Sequence, residues 1–224
     1  MPRVLVVNTG SSSIKYQLFE MDGPKVLASG VVERIGEAGA KLTHRAGDAE
    51  PLVVEDRVAD HSEGFERVFA AFETAGGPIT DLAGIGHRVV HGGDKLTEPT
   101  LIDAEAIAAI ADQAPLAPLH NPSNLLGIRI AMASFPDTPQ VAVFDTAFHQ
   151  TMPPRAYRYA LPAELARDLR IRRYGFHGTS HAYVSRKAAE HLGRPAAEVN
   201  LVTLHLGNGA SVAAVQAEIG RAHV

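Results

Sequence analysis

The chain opens on Val4-Leu5-Val6-Val7, an uninterrupted apolar run that predicts a strand buried on both faces. It breaks at the turn cluster Asn8-Thr9-Gly10-Ser11-Ser12-Ser13. Ile14 to Phe19 then alternates apolar and polar, the pattern of a half-buried strand. Asp22-Gly23-Pro24 predicts a second turn and Val26–Val32 a third strand, so the opening reads as an antiparallel meander. Residues 36–58 are Gly-rich and charged, and predict a peripheral hairpin or loop. The period then changes. Phe65, Val68, Phe69 and Phe72 recur at helical spacing and predict a helix over His61–Thr74, stopped by Gly76-Gly77-Pro78. Ile85–His91 predicts a strand ending at Gly92-Gly93. Asp103 is placed to cap a helix that runs through Asp112, before Pro115 and Pro118. A further helix is expected over Ser123–Ser134, closed by Pro136 and Pro139. Val141–Phe144 predicts a buried strand that stops at Asp145. Helices near 162–169 and 180–192 follow, then strands Leu201–Leu206 and Ser211–Val215 around Gly207-Asn208-Gly209. Strands alternating with helices after a meander define an α/β chain with a mixed sheet. Met152-Pro153-Pro154 interrupts the pattern and places a domain boundary near 146–155.

Composition narrows the function classes. The 224 residues suffice for one large domain or one and a half ordinary ones. A net charge of −4 excludes a broadly basic protein that coats nucleic acid. With no cysteine there is no disulfide framework, Cys-ligated zinc or thiol nucleophile. No apolar run approaches the ~20 residues of a membrane helix, and Met-Pro-Arg followed by a short Val4–Val7 run lacks the build of a secretory signal. A cytoplasmic, soluble chain with neither nucleic-acid nor membrane partners is expected.

Five stretches carry chemistry. Asn8 to Lys15 combines a Gly/Ser turn, whose N–H groups and hydroxyls suit phosphate oxygens, with a cation just beyond it. It is not a P-loop, and a plain hairpin turn has the same composition. In Gly86-His87-Arg88-Val89-Val90-His91, Arg88 and Val90 fall on one side of a strand. A guanidinium beside a small apolar group suits a short fatty acid, fork to carboxylate and valine to alkyl end. Asp145 ends an apolar strand, a common place for a catalytic or metal-organising carboxylate, although a lone Asp there more often makes a turn. Arg173-Tyr174-Gly175-Phe176-His177-Gly178-Thr179-Ser180-His181 sets a histidine between glycines, where it can donate to a transferring phosphoryl group. His205-Leu206-Gly207-Asn208-Gly209-Ala210-Ser211 closes a strand with a second Gly-rich turn. A metallohydrolase is the rival reading of the i, i+4 pairs His87/His91 and His177/His181. In a strand, however, the first pair stands about 13 Å apart, too far to share one metal.

Taken together and in this order, Val4–Lys15, Gly86–Gly93, Pro118–Asn124, Val143–Thr151, Arg173–His181 and His205–Ser211 resemble the acetokinase family. The family belongs to the superfamily of sugar kinases, actin and heat-shock chaperone ATPases. The resemblance implies the ribonuclease-H-like, actin-type ATPase fold, with an acyl-substrate domain over 1–150 and the start of a nucleotide domain, left incomplete, over 151–216. Residues 217–224 look unlike the family and are expected as a tail. The implied reaction is reversible phosphoryl transfer from ATP to acetate, giving ADP and acetyl phosphate, with Mg²⁺ or Mn²⁺. The resemblance assigns catalysis to Asp145, His177 and Arg88. Arg88 holds the carboxylate, and Val90, Leu119 and Phe176 shape the methyl pocket. Lys15, Ser11, Ser13, His205, Leu206, Gly207, Asn208 and Gly209 contact ATP, and Asn8 organises the metal. Full-length members are expected to be homodimers. Because the chain stops short of the family's later motifs, it is expected to be an inactive or weakly active fragment with uncovered apolar surface. A propionate or butyrate kinase, or a non-catalytic ligand-binding fragment, are the alternatives.

Overall fold

The fold is given by a computed structural model that describes every residue except 76, 78, 218 and 224, together with the side chains of all but those and 219 and 221–223. The stop expected at Gly76-Gly77-Pro78 therefore lies partly outside the described residues. The chain forms two compact units, one of Met1–Val89 and Thr100–Val143, the other of Val90–Pro99 and Phe144–Val224.

The first unit is built on the meander. Strands β1 (Arg3–Thr9), β2 (Ser13–Glu20), β3 (Lys25–Glu33), β4 (Lys41–Ala46) and β5 (Leu52–Glu55) precede helix α1 (His61–Thr74). Then come β6 (Leu82–Val89), β7 (Thr100–Leu101), α2 (Ala104–Asp112), α3 (Asn121–Ser134) and β8 (Gln140–Phe144). One mixed sheet runs β5-β4-β3-β2-β1-β6-β8-β7. Its pivot is β1, antiparallel to β2 and parallel to β6. Of the peripheral hairpin or loop expected over 36–58, the structure shows the hairpin: β4 and β5 pair antiparallel and extend the sheet at its edge. Leu42 and His44 turn inward there, and the β3–β4 ladder brings His44 opposite Gly30. His44 Nε2–H donates to the Ala75 carbonyl at 3.0 Å, so Nδ1 is left to accept from the Tyr16 hydroxyl at 2.7 Å. Leu5, Val7, Ile14, Leu18, Val32 and Leu42 pack with Phe65, Val68 and Phe72 of α1 into one core.

Helix starts follow their caps. Asp60 accepts from the Glu63 N–H and Asp103 from the Ala106 N–H. Helix α3 begins at Asn121, two residues before the expected Ser123, because Pro122 is accommodated in its first turn. The strand expected to reach His91 ends at Val89, where the chain turns into the second unit.

The second unit holds a 3₁₀ turn (Ala147–Thr151), α4 (Pro154–Tyr157), α5 (Ala163–Asp168), α6 (Gly178–His191), and strands β9 (Asn200–Leu206), β10 (Ala210–Gln216) and β11 (Ile219–His223). These strands form an antiparallel sheet in the order β11-β10-β9. Strand β11 falls in the stretch expected as a tail and pairs along β10. On β9, Thr203 is buried while Val202, Leu204 and Leu206 are exposed, an uncovered apolar row. Among the described residues no helix is long and apolar enough to cross a membrane.

Candidate active site

In the first unit the Gly/Ser turn is held on three sides. Its own closure is the Gly10 N–H to Ser13 carbonyl bond at 2.8 Å. His61, the first residue of α1, donates from Nε2 to the Gly10 carbonyl at 2.8 Å. Asn124 of α3 donates from Nδ2 to the Thr9 carbonyl at 2.7 Å, fully out of water. Removing that amide leaves a buried carbonyl unpaired, which costs roughly 1–3 kcal/mol. Asn124→Ala is therefore expected to lower the stability of the chain by about that amount in urea denaturation.

Register decides which side chains share the turn's end of the sheet. Asn8 stands opposite Lys15 in the β1–β2 ladder, and Val7 stands opposite His87 in the β1–β6 ladder. Val7 and His87 are buried, so Asn8, Lys15 and Arg88 lie together on the other face of three neighbouring strands. Asn8 and Lys15 line a cavity of about 590 Å³ on that face, with Gln17, Ser29, Thr43 and Arg45 further along it. Ser11 is exposed at the tip of the turn and Ser13 is half-buried at its base. Leu119, expected in a methyl pocket, sits in the turn before α3 and is 73% exposed. His87 donates from Nε2 to Gln140 Oε1 at 2.8 Å, and burial pulls its pKa down to about 4.

In the second unit Asp145 is 1% exposed. The Gly178 N–H donates to its backbone carbonyl at 2.9 Å, and the Thr179 hydroxyl stands 3.4 Å from Oδ1. The first turn of α6 is thereby fastened to the catalytic candidate. His177 occupies the N-cap of that helix with φ 55° and ψ 26°, a left-handed conformation uncommon for a non-glycine residue. Its ring stacks on His205 with centroids 4.1 Å apart, and its Nδ1 lies 2.8 Å from Ser211 Oγ. A Cβ at Gly209 would stand 3.2 Å from the Nε2 edge of the His177 ring, so the Gly207–Gly209 turn comes up to that edge. Leu206, Gly207, Asn208 and Gly209 are all exposed.

The approach segment 90–99 is clamped to the same unit. The Gly92 N–H donates to Thr146 Oγ1 at 3.0 Å, and Gln150 Nε2 donates to the Gly93 carbonyl at 2.9 Å. The Gly93 N–H donates to His91 Nδ1, whose ring meets Tyr174 and Phe176 edge-on. Burial first, and Arg170 second, lower the His91 pKa to about 4, so the ring packs as a neutral aromatic. Val90 is half-buried, and Phe176 is 37% exposed beside His91.

The chemistry of this set is donor-rich. Imidazoles, hydroxyls and helix N–H groups converge near a single buried carboxylate, which suits a charged oxygen-bearing substrate better than an apolar one. Among the described residues no group of three or more His, Asp and Glu could hold a metal. Both ring nitrogens of His181 are engaged by hydroxyls, on Thr203 and Ser211, so His177 and His181 do not form a chelating pair. Mg²⁺ at nucleotide sites needs only one or two carboxylates, with phosphates and water completing its shell. Asp145, a single buried carboxylate, fits the one-carboxylate requirement of such a site and does not fit a protein-only cage.

The pattern of residues pointed to Asp145, His177, Arg88, Lys15 and the two Gly-rich turns. It passed over His61, Asn124, His181, Thr203 and Ser211, which position them. Asn124, His181 and Ser211 lay inside the quoted motifs, but their roles depend on α3 meeting β1, and on β9, β10 and α6 meeting in space.

Comparison with known proteins agrees with this geometry. The model of the acetokinase family matches residues 3–222, a span that takes in most of the stretch expected as a tail. The acetate kinase of Thermotoga maritima is 55% identical over 218 residues, covering 96% of this chain and 54% of that protein. Among solved structures, the acetate kinase of Porphyromonas gingivalis superposes with a TM-score of 0.89 at 42% identity, covering 100% of this chain and 57% of that one. A propionate kinase from Francisella tularensis gives a TM-score of 0.92 at 39% identity, with the same coverage of 100% and 57%. The chain thus spans about half the length of the curated relatives it matches. With the family model matched over nearly the whole chain and relatives at 55% identity, this chain belongs to the acetokinase family.

Proposed function

We propose that the chain carries the acyl-substrate half of a carboxylate kinase, one that transfers a phosphoryl group reversibly between ATP and acetate. We assign residues 1–150 to the acyl substrate and residues 151–216 to the start of the nucleotide domain; the compact units divide at 143/144, with 90–99 in the second. The observation that carries the reading is the fastening of α6 to Asp145 through Gly178, which sets the aspartate and the His177 end of a 14-residue helix side by side. Phosphoryl transfer asks a protein mainly for positioning and charge neutralisation. Arg88 pairs its fork with the acetate carboxylate. Lys15, with Ser11 and Ser13, meets phosphate oxygens, as do the N–H groups of the His205–Gly209 turn. His177 donates to the transferring group. Asp145 would hold Mg²⁺ with the nucleotide, Asn8 would help organise it, and the ion would supply neutralisation of phosphate charge.

Acetate is already ionised at neutral pH, like other carboxylates of ordinary pKa. Its attacking oxygen has no proton to surrender, so Asp145 organises the metal rather than acting as a general base. An Asp145→Asn variant that loses turnover while keeping a normal Mg²⁺ dependence would contradict this role. The likeness to the Francisella propionate kinase supports a second reading in which the acid is one carbon longer. One methylene is worth only ~1–3 kcal/mol of discrimination.

The test is acyl phosphate formation with Mg-ATP and acetate, propionate or butyrate, trapped with hydroxylamine, with the Thermotoga maritima enzyme alongside. Weak turnover on one acid, lost in Arg88→Ala, supports the reading and selects the substrate. Turnover that survives Arg88→Ala overturns the assignment of the carboxylate site. The chain is assigned to the cytoplasm, and a homodimer is proposed for the full-length protein.

A further inference from the structure

A buried line of alternating imidazoles and hydroxyls runs from the core of the second unit to His177. Thr203 Oγ1 lies 2.8 Å from His181 Nδ1, and His181 Nε2 lies 2.9 Å from Ser211 Oγ. Ser211 Oγ lies 2.8 Å from His177 Nδ1. Thr203, His181 and Ser211 are each at most 5% exposed, so these groups have little water to bond instead.

A hydroxyl has one proton to give, and a neutral imidazole has one donor and one acceptor nitrogen. Ser211 therefore cannot donate to both rings at once. If it donates to His181 Nε2, then His177 must carry its proton on Nδ1 to complete the line. If it donates to His177 Nδ1, the proton of His177 is on Nε2 and that of His181 is on Nε2 too. The two tautomers are locked to each other through Ser211. Thr203 sets the direction, because its hydroxyl donates to the Ala213 carbonyl at 3.4 Å, which can only accept. The Thr203 oxygen then accepts from His181 Nδ1–H, Ser211 donates to His181 Nε2, and His177 Nδ1–H donates to Ser211.

We propose that Ser211 and His181 are positioning residues that fix the tautomer of His177, keeping its Nδ1 proton directed inward and making Nε2 the nitrogen at which the ring gains or loses a proton. Nε2 is the edge that the Gly207–Gly209 turn approaches. The arrangement persists when the ring is protonated, because Nδ1–H donates to Ser211 in both states. An arriving phosphoryl group thus meets a donor at Nε2 only when His177 is the imidazolium, and no partner in the line has to turn. This consequence for phosphoryl transfer rests on the carboxylate-kinase reading above; the tautomer itself does not.

The experiment is two-bond ¹H–¹⁵N correlation NMR on the chain labelled at histidine nitrogen, at a pH where both rings are neutral, with His177→Gln and His181→Gln used to assign the signals. The expected result in the unmodified chain is Nδ1 protonated and Nε2 bare for both His177 and His181. Ser211→Ala is expected to abolish the fixed Nδ1–H form of His177, and Ser211→Thr, which retains the hydroxyl, to restore it. Nε2–H on His177 in the unmodified chain overturns the proposal without reference to any variant. So does an unchanged tautomer in Ser211→Ala. Because the readout is spectroscopic, a chain with no turnover can still show the relay, and an active chain can lack it, so the two failures are distinguishable.

Discussion

Gly178→Ala is expected to destabilise the second unit by roughly 3 kcal/mol, the upper end of what overpacking costs. A methyl group at Gly178 would overlap the Asp145 carbonyl oxygen and stand 2.9 Å from Phe148 Cβ. The first obstacle is backbone, which cannot rotate away as a side chain can. Relief requires α6 to lift off Asp145, breaking the Gly178 N–H to Asp145 carbonyl bond. Displacement of about 1 Å at a reacting geometry costs on the order of 10²-fold in rate, so any turnover of the chain falls with the fold. Gly209→Ala is the control, because the nearest obstacle there is the His177 ring edge at 3.2 Å, which needs to give only slightly. Urea midpoints compare the two. A midpoint for Gly178→Ala equal to that of the unmodified chain would show that α6 is not fastened to Asp145 as described.

Acid is expected to unfold the chain over a defined window. His87 and His91 are buried, with pKa values pulled from 6.5 to about 4, and His44 is lowered by burial as well. A base whose pKa falls on folding binds fewer protons in the native state. The stability it contributes is full above about pH 6.5, declines as the unfolded histidines take up protons, and declines no further below about pH 4. For His87 the shift of ~2.5 units at ~1.4 kcal/mol per unit amounts to ~3 kcal/mol. That is a large part of a typical domain stability of ~5–15 kcal/mol. His44 and His87 act on the first unit and His91 on the second, so both units weaken. Denaturation midpoints at about pH 7.5 and about pH 4.5 measure the loss. His87→Leu removes the partner of Gln140 and lowers stability at neutral pH, yet it should flatten the pH slope. An unchanged slope in that variant would exclude His87 as the source.

The elements that carry strong periodicity were legible. The stripe Phe65, Val68, Phe72 marks α1 to the residue, and Asp103 caps α2 as its position implied. A hairpin or loop was legible over 36–58, but not which of the two, because Gly36, Gly39 and Gly47 surround a short inward pair, Leu42 and His44, whose burial depends on Tyr16 and α1. Strand β7 is two residues long and is defined only by its ladder to β8. For the candidate site, residue types and chain order proposed Asp145, Arg88, His177 and both turns. Their support was not legible, because Asn124 reaches Thr9 across 115 residues and His181 reaches Ser211 across 30. The left-handed backbone at His177 could not be read either; flanking glycines signal close approach, and they do not say which residue between them adopts the unusual conformation.

The central claim, that Arg88 anchors a short carboxylate in this half of a kinase, is tested most directly by titrating the chain with ¹³C-labelled acetate and following the methyl and carboxyl signals. The account predicts saturable binding that is lost in Arg88→Ala and weakened in Arg88→Lys, which keeps the charge and loses the fork. Acetate that binds equally well to Arg88→Ala, or not at all to the folded unmodified chain, would contradict it.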